Sequence, residues 1–297
     1  MEMRQLRIFC AVADQGSFTG AAETVHCVQS NVTMRVRELE TELGQALFLR
    51  SRGGVALTEA GRTFLGYARR ILQLADESRT VLLDSGTPRG LLKLGAMETT
   101  AAIRLPALLL AYRQRHPEVQ LSLITGTTAE LIRGVRERRL DAAFVGGFHQ
   151  MPELHQEQVF EEELVLVSSS RFATLKALKR EMSEQSILVF KTGCFYRSTL
   201  ERWLERAGLL PGQVLELGTL DGILSCAAAA MGVTLLPRAV IERCQDRSSL
   251  SCHSLPNNIA RVATVLLRRQ DAPQSAALRA MVEVAKDQRT APARARA

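Results

Sequence analysis

Apolar residues between positions 28 and 44 recur at spacings of three and four, which is typical of a helix packed along one face. These residues are Val28, Val32, Val36, Leu39 and Leu43. A second amphipathic helix is predicted over residues 16–26, with Ser17 as its N-cap, and another over residues 3–15 precedes it. Because residues 26–28 leave room for a tight turn alone, the pattern predicts a helix-turn-helix.

The opposite face of the third predicted helix carries side chains that can read DNA. It presents Gln29, Ser30, Thr33, Met34, Arg37 and Thr41. A recognition helix places its first turns against base edges in the major groove, where all four base pairs are distinguishable. Gln29 can pair with adenine, Met34 can contact a thymine methyl group, and Arg37 can meet a phosphate. Ser30 and Thr33 can serve bases or phosphates. A plain helical bundle with a polar surface is the alternative interpretation.

Residues 47–58, LFLRSRGGVALT, predict a short hairpin that turns at Gly53-Gly54. Gly44 ends the helix before it. Arg50 and Arg52 stand close to the turn, so the hairpin is expected to act as a wing on the adjacent DNA backbone. This wing favours DNA binding over the plain helical bundle.

A long helix is predicted over residues 59–85, with Thr58 as its cap. Its apolar seam has heptad spacing and is interrupted by Arg79. The seam consists of Leu65, Ala68, Leu72, Ala75 and Leu82. It can be buried against a second copy of the chain or against its own domain. Self-pairing predicts a two-fold dimer and a near-palindromic operator, with half-sites about one helical turn apart.

From residue 90 onward, apolar strands alternate with amphipathic helices, which predicts two lobes built on parallel sheets. The first lobe is expected to have strands at 91–97, 119–125 and 141–147, with helices near 102–115 and 128–138. A loop is predicted near 148–158. The second lobe is expected to have strands at 164–170, 186–190, 213–219 and 233–237, with helices near 195–207 and 219–231. A strand at 262–269 and a helix near 274–287 follow.

Four motifs within residues 5–61 occur in the order and spacing of a known family, namely GSFTGAA, QSNVTMRVRELE, LGQALFLR and LTEAG. In this region the chain resembles the LysR-type transcriptional regulators, and its α/β lobes extend the resemblance, with weaker motifs, to residue 290. The resemblance places Gln29, Ser30 and Thr33 at positions that contact bases or phosphates. It places Arg50 and Arg52 on the wing.

The resemblance also implies a fold class and a domain organisation. The fold class is α/β with an all-α winged helix-turn-helix domain, followed by a two-lobe α/β domain that is similar to the periplasmic binding proteins. The implied domains are 1–58 for DNA binding, 59–89 for a dimerisation helix and hinge, and 90–290 for effector binding. Lobe I takes in about 90–160 and 268–290, lobe II about 161–267, and residues 291–297 are expected to be a disordered tail. The family forms homodimers and commonly homotetramers, and both alternatives remain open.

Polar residues follow the strands of both lobes at the edge where helix N-termini converge, which predicts a cleft. The candidate effector-binding residues are Met97, Glu98, Thr99, Thr100, Thr125, Thr127, Thr128, Thr192, Cys194, Phe195 and Arg197. Helix N-termini attract anions, so a small anionic effector is one hypothesis, with Arg197 offsetting the charge of Glu98. The resemblance likewise implies an inducer held by these loops. For any single residue, an ordinary cap or turn is the competing interpretation.

Cys194 supports a rival hypothesis, a redox-responsive regulator, because a thiol at a helix N-terminus can have a lowered pKa. The six cysteines include no CxxC pair and no disulfide framework, and neither a metal site nor a cofactor is predicted. An enzyme on the α/β lobes is the least favoured alternative. The sequence contains no GxSxG, GxxxxGK[ST] or HExxH motif and no GxGxxG after a strand.

Composition limits the location and the partners. No run of about 18 apolar residues occurs and no apolar segment follows the N-terminus, so a cytoplasmic protein without membrane contact is expected. The net charge of +7 suits a nucleic-acid partner. Since acidic and basic residues are nearly balanced over the first 90 positions, the prediction of double-stranded DNA as partner depends on the placement of side chains rather than on total charge.

Overall fold

The computed structural model describes residues 1–51, 54–83 and 86–290. The chain divides into two compact units, one of Met1–Ser85 with Glu137–Arg139 and one of Gly86–Arg136 with Leu140–Ala297. The first unit consists of helices and one hairpin, and the second is a mixed α/β domain. The expected disordered tail, 291–297, lies outside the described residues.

The first unit contains the predicted helix-turn-helix, the hairpin and the long helix. Its elements are α1 (Met3–Gln15), α2 (Phe18–Thr24), α3 (Gln29–Leu43), β1 (Phe48–Ser51), β2 (Gly54–Leu57) and α4 (Glu59–Leu83). The Oγ atom of Ser17 accepts a hydrogen bond from the N–H of Gly20 at 3.3 Å, which confirms the predicted cap of α2. His26 adopts a left-handed φ of 52°, which closes the tight turn between α2 and α3.

Aromatic rings form the centre of this unit. The ring of Phe9 lies 5.2 Å from that of Phe48 and 5.1 Å from that of Phe64, measured between centroids. Phe18 meets Phe48 edge to face at 5.8 Å. Residues from α1, α2, β1 and α4 therefore share one core.

The apolar stripe of α3 is buried in the middle and exposed at its ends. Val32, Val36 and Leu39 are fully buried, whereas Val28 is 67% exposed and Leu43 is 37% exposed. The prediction that all five residues pack inward is therefore wrong for the two terminal ones. Val28 is the N-cap and Leu43 the last residue, so both lie beyond the middle turns that pack against α1 and α2.

The apolar seam of α4 is partly buried within its own unit. Ala68 is fully buried, and Leu65 and Leu72 pack against the same core, while α4 lies along α1. Arg69 forms an ion pair with Asp14 of α1. The expectation that the whole seam is left for a second copy of the chain is therefore wrong for this part, because α1 provides an apolar partner that helical periodicity alone does not reveal.

The second unit contains the remaining strands and helices. Its strands are β3 (Gly90–Ala96), β4 (Val119–Thr125), β5 (Ala142–Gly146), β6 (Leu154–Ser169), β7 (Ser186–Val189), β8 (Gln213–Glu216), β9 (Gly232–Pro237), β10 (Leu250–Ser254) and β11 (Arg261–Arg269). Its helices are α5 (Glu98–Ile103), α6 (Leu105–Arg115), α7 (Thr128–Arg136), α8 (Leu175–Arg180), α9 (Phe195–Arg206), α10 (Leu220–Ala228), α11 (Arg238–Glu242), α12 (Asn257–Ala260) and α13 (Ala276–Thr290). The sequence did not predict α8, α11, α12 or β10, nor α5 as a helix separate from α6.

Two parallel blocks of strands are joined by two crossing strands. The hydrogen-bonded order is β4-β3-β5-β11-β6-β9-β7-β8, with β10 on β6. Strands β3, β4 and β5 run parallel, as do β7, β8 and β9, whereas β6 and β11 run antiparallel to their neighbours. The register of β11 against β6 shifts between Thr264 and Val265. Two α/β lobes therefore share the strands that connect them, which positions a cleft where the parallel strands end.

The prediction of a loop near residues 148–158 is wrong for its second half, because β6 already begins at Leu154 and runs for 16 residues. A run of charged residues, Glu161 to Glu163, obscured this strand in the sequence. Glu161 pairs with Arg261 at 2.9 Å and Glu163 with Arg238 at 2.8 Å. Partners from distant segments thus satisfy the charges, and no local pattern predicts them. In the described ranges of the chain, no helix is long and apolar enough to cross a membrane.

A candidate DNA-binding surface and a candidate effector cleft

The predicted recognition surface is a continuous patch on α3. Gln29, Ser30, Met34 and Arg37 are exposed, and Thr33 is half-buried. These five side chains line one shallow depression together with Glu38, Thr41 and Glu42. The structure thus brings the α3 candidates together, because residues three and four apart share a helix face.

Arg35, the neighbour of Met34, lies off this surface. Its Nη1 atom is 3.1 Å from the Oε2 atom of Glu38 and 3.9 Å from a carboxylate oxygen of Glu2. The Nε2 atom of Gln5 also donates to Glu38, at 3.3 Å. Arg35 therefore links α3 to the start of α1. The first turns of the recognition surface, which include Met34, consequently carry no charged side chain.

The wing is anchored by a recognition-helix residue that sequence analysis missed. The Oε1 atom of Glu40 accepts hydrogen bonds from the backbone N–H groups of Leu47 at 2.7 Å and Phe48 at 3.2 Å. The N–H of Val55 donates to the carbonyl of Gly16 at 3.1 Å. The hairpin is thus fixed to both α3 and the turn after α1.

The structure describes the backbone of one of the two predicted basic residues of the wing. Arg50 lies on β1 opposite Val55 in the antiparallel pair of β1 and β2, so the predicted hairpin is present. Arg52 and Gly53, the rest of the predicted turn region, lie outside the described residues. The role of the wing on the DNA backbone therefore remains a prediction from the sequence.

The cleft of the second unit is a cavity of about 280 Å³ with walls from both lobes. Seven candidates from the sequence line it, namely Met97, Glu98, Thr99, Thr125, Thr127, Thr128 and Cys194. Residues outside the predicted effector-binding set also line it, namely Gly126, Glu130, Phe190, Lys191, Tyr196, Leu217 and Gly218. Five of them directly follow strand ends, and Glu130 and Tyr196 lie in the first turns of the helices that come next, so position after a strand was the available signal. The size is at the lower end of ordinary ligand sites and suits a small metabolite.

The other four effector-binding candidates from the sequence are not among the residues that line this cavity. Thr100 is buried in α5, where its carbonyl accepts from the N–H of Arg104, and Thr192 lies exposed in the loop after β7. The Phe195 ring packs on Gly147, where a Cβ atom would approach it to 2.4 Å. Arg197 donates to Glu201, to Glu216 and to the carbonyl of Phe190.

The expectation that Arg197 offsets the charge of Glu98 is therefore wrong. The guanidinium of Arg197 lies 2.9 Å from each of the carboxylates of Glu201 and Glu216, and these ion pairs use its hydrogen-bonding capacity. The cationic residue that lines the cleft is Lys191, six positions earlier in the chain.

Contacts between the lobes close the cleft. The Oε1 atom of Glu98 accepts a hydrogen bond from the N–H of Leu220, the first residue of α10, at 2.9 Å. The N–H of Ala129 donates to the carbonyl of Gly193 at 3.2 Å, and Gly193 has a φ of 93°. A Cβ atom on Gly193 would lie 2.8 Å from that of Ala129, so the close approach of the lobes requires glycine here.

A buried ion pair lies at the junction of α5 and α6. Arg104 donates from Nε and Nη2 to the two carboxylate oxygens of Glu162, at 2.8 and 2.9 Å. Glu162 is only 4% exposed. Since Glu162 belongs to the crossing strand β6, this bidentate pair fixes the lobe I helices to the segment that joins the lobes.

The chemistry of the titratable cleft residues follows from their surroundings. Hydrogen bonds from the N–H and hydroxyl of Thr127 lower the pKa of Glu130, which keeps it charged. Burial raises the pKa of the Tyr196 hydroxyl and that of the Cys194 thiol. A thiol with a raised pKa is a weak nucleophile at neutral pH, which argues against the redox hypothesis for Cys194.

A helix-turn-helix with an exposed polar recognition face, joined in one chain to a two-lobe domain with a metabolite-sized cleft, defines a class of DNA-binding regulators with a ligand-binding domain. Residues 3–62 match the family model described as "Bacterial regulatory helix-turn-helix protein, lysR family", and residues 85–290 match "LysR substrate binding domain". The chain belongs to the LysR family of transcriptional regulators. As a member it binds operator DNA, and the family and its similar proteins are regulators rather than enzymes.

Similar proteins share this architecture over their full length. The HTH-type transcriptional regulator CzcR of Bacillus cereus is 41% identical over 283 residues, which cover 95% of this chain and 96% of that protein. The regulator GltR of Bacillus subtilis (strain 168) is 37% identical, with 97% of each chain covered. The crystal structure of full-length CbnR complexed with its target DNA has a TM-score of 0.68 and 26% identity, covering 97% of this chain and 99% of that one.

Proposed function

We propose that this regulator changes its affinity for operator DNA when a small effector binds in the cleft between its lobes. The observation that carries the proposal is that cavity, which residues of both lobes line and which polar contacts between the lobes close. A ligand held by both lobes either changes the relative position of the lobes or stabilises one of their arrangements. A regulator senses its ligand through such a change.

We assign the work of DNA binding to the surface of α3 and to the wing. Gln29 and Met34 read base edges, Ser30 and Thr33 contact bases or phosphates, and Arg37 contacts a phosphate, with Arg50 and Arg52 on the adjacent backbone. Residues 1–58 act as the DNA-binding domain, 59–89 as dimerisation helix and hinge, and 90–290 as the effector domain. Because its target is operator DNA, we place its action in the cytoplasm.

A homodimer is part of the proposal, and the outward face of α4 supports it. Tyr67 is 60% exposed and Leu74 is 49% exposed. Tyr67 and Leu74 are seven residues apart, so they lie on one face of the helix, away from the buried Ala68. A second copy that covers this face pairs two recognition helices, which fits a near-palindromic operator.

The test is a gel-shift titration of the full chain on the DNA upstream of its own gene, at fixed ionic strength and with unlabelled competitor. A metabolite panel is then added to the preformed complex. We expect preferential binding to one duplex and a change in apparent Kd with at least one metabolite. Binding to the operator that equals binding to the competitor, or a complex that no metabolite affects, contradicts the proposal.

A further inference from the structure

Protein groups already occupy N–H donors at two of the helix N-termini beside the cleft, those of α10 and α7. At α10, the N–H of Leu220 donates to Glu98 at 2.9 Å and the N–H of Gly222 donates to the hydroxyl of Thr219 at 3.1 Å. An anion that approaches this terminus has to replace the carboxylate of Glu98. The usual reason for a helix N-terminus to bind an anion, its unpaired N–H groups, is therefore largely removed here.

The same holds at α7, on the opposite lobe. The N–H of Thr127 donates to the Oε2 atom of Glu130 at 2.9 Å, and the N–H of Glu130 donates to the hydroxyl of Thr127 at 3.3 Å. This reciprocal pair is a capping box. The N–H of Ala129 donates across the cleft to Gly193. The carboxylate of Glu130 is thereby used in capping its own helix.

The charges that line the cavity favour a cation. Among the described residues, its lining holds the two carboxylates of Glu98 and Glu130 against the single ammonium group of Lys191. The nearby guanidinium groups serve other carboxylates, since Arg197 pairs with Glu201 and Glu216 and Arg104 pairs with Glu162. A ligand carboxylate entering this cavity is opposed by Glu98 and Glu130, whereas a ligand cation is attracted to them.

The lining also offers the other groups that hold an organic cation. Phe190 and Tyr196 provide aromatic rings, and the faces of such rings attract cations. Thr99 and Thr128 provide hydroxyl oxygens that accept hydrogen bonds from N–H donors. Glu98 is half-buried in lobe I, so a charge-assisted hydrogen bond to it is stronger than one at an exposed carboxylate.

We propose that the effector carries a positively charged nitrogen, as in a small amine or amidine, and that the Glu98 carboxylate binds it. This inference rests on the proposed function, in which the cleft holds the effector. Because Glu98 keeps its contact with Leu220 while it binds the cation, the ligand stabilises the closed arrangement of the lobes. The cavity of about 280 Å³ limits the effector to a small metabolite.

The test compares matched probes on the full-length protein at constant ionic strength. The probes are butylamine and 1,4-diaminobutane, the carboxylates butyrate and succinate, and neutral butyramide. The readout is the thermal unfolding midpoint across a titration of each probe, from which an apparent Kd follows. The variant is Glu98→Gln, whose amide oxygen still accepts from the N–H of Leu220 but carries no charge. The control is Glu161→Gln, which removes an equal charge from an exposed ion pair with Arg261, away from the residues that line the cavity.

We expect amines to raise the midpoint of the wild type, and carboxylates of the same length to leave it unchanged. Glu98→Gln weakens amine binding by about tenfold or more, and Glu161→Gln leaves it nearly unchanged. The inference is overturned if carboxylates bind the wild type in preference to amines, if no amine raises the midpoint, or if the two variants lose amine binding equally. The operator titration tests the proposed function separately, so a carboxylate effector contradicts this inference and leaves the regulator intact.

Discussion

Glu40 on the recognition helix accepts a hydrogen bond at 2.7 Å from the backbone N–H of Leu47, the residue that leads into the wing. The same carboxylate oxygen accepts from the N–H of Phe48. Leu47 is 1% exposed, so its N–H has little access to water. The two parts of the proposed DNA-binding surface are therefore held in one geometry by a side chain that faces the hairpin rather than DNA.

Replacing Glu40 tests this link. Glu40→Ala leaves two backbone donors without their acceptor, and we expect a loss of about 1–3 kcal/mol in the free energy of unfolding together with weaker operator binding. Glu40→Gln keeps an acceptor oxygen and is expected to lose less. Denaturant unfolding and gel-shift titration measure the two effects. Equal loss of stability in both variants would show that the carboxylate acts by its charge.

The separate roles proposed for α3 and for the wing predict two different effects on DNA binding. Arg50→Ala is expected to weaken binding to matched and scrambled duplexes alike, because a phosphate contact is independent of sequence. Gln29→Ala is expected to change discrimination between them by about 1–3 kcal/mol. Parallel gel-shift titrations on the two duplexes measure this. Equal losses for both variants on both duplexes would contradict the assignment.

The exposed face of α4 predicts a surface mutant that dissociates the dimer. Leu74→Glu places a charge on the outward face without touching the core that holds Ala68, so we expect monomers in light scattering after size exclusion and an almost unchanged unfolding midpoint. Leu74→Met, which conserves volume and polarity, is the control and is expected to remain dimeric. A dimeric Leu74→Glu protein means that another face pairs the chains.

The buried ion pair at the lobe junction predicts that replacing two neighbouring glutamates lowers the free energy of unfolding by different amounts. Glu162→Gln removes one partner of a buried bidentate pair, and we expect the free energy of unfolding to fall by about 3 kcal/mol. Glu161→Gln, one residue earlier, breaks only the exposed pair with Arg261 and is expected to cost less than about 1 kcal/mol. Denaturant unfolding of both variants gives the comparison, and similar losses would refute it.

The capping box of α7 predicts a pH dependence of known sign. The pKa of Glu130 is lowered in the folded protein, chiefly by the backbone N–H of Thr127, from its ordinary value of 4.5. Its contribution to stability is therefore fully present above about pH 4.5 and is lost as the pH falls through the lower folded value. The difference in midpoint between wild type and Glu130→Ala is expected to shrink on acidification. A difference in midpoint that grows on acidification would contradict this prediction.

Much of the first unit follows from local pattern. The spacing of Val32, Val36 and Leu39 predicts α3, Ser17 predicts the start of α2, and the LFLRSRGGVALT segment predicts the hairpin. Helical periodicity and caps depend on residues within four positions of one another, so one sequence contains the needed information. What periodicity does not determine is how far the covering helices reach, which is why Val28 and Leu43 are exposed.

In the second unit, the alternation of strands and helices predicts two lobes and a cleft at the strand ends, and seven of the predicted residues line it. The partners of charged side chains are not local, and this is where sequence reasoning fails. Arg197 is close to Cys194 in the chain but is paired with Glu216, while Glu162 in an acidic run belongs to a buried pair with Arg104.

The sequence by itself determined the class of protein, because helical repeats, caps and strand alternation are short-range properties. The tertiary structure alone decided which charges face the cleft and how its helix termini are satisfied. The physical reason is that electrostatic pairing is set by distance in space, and Glu98 reaches the N–H of Leu220 from 122 positions away.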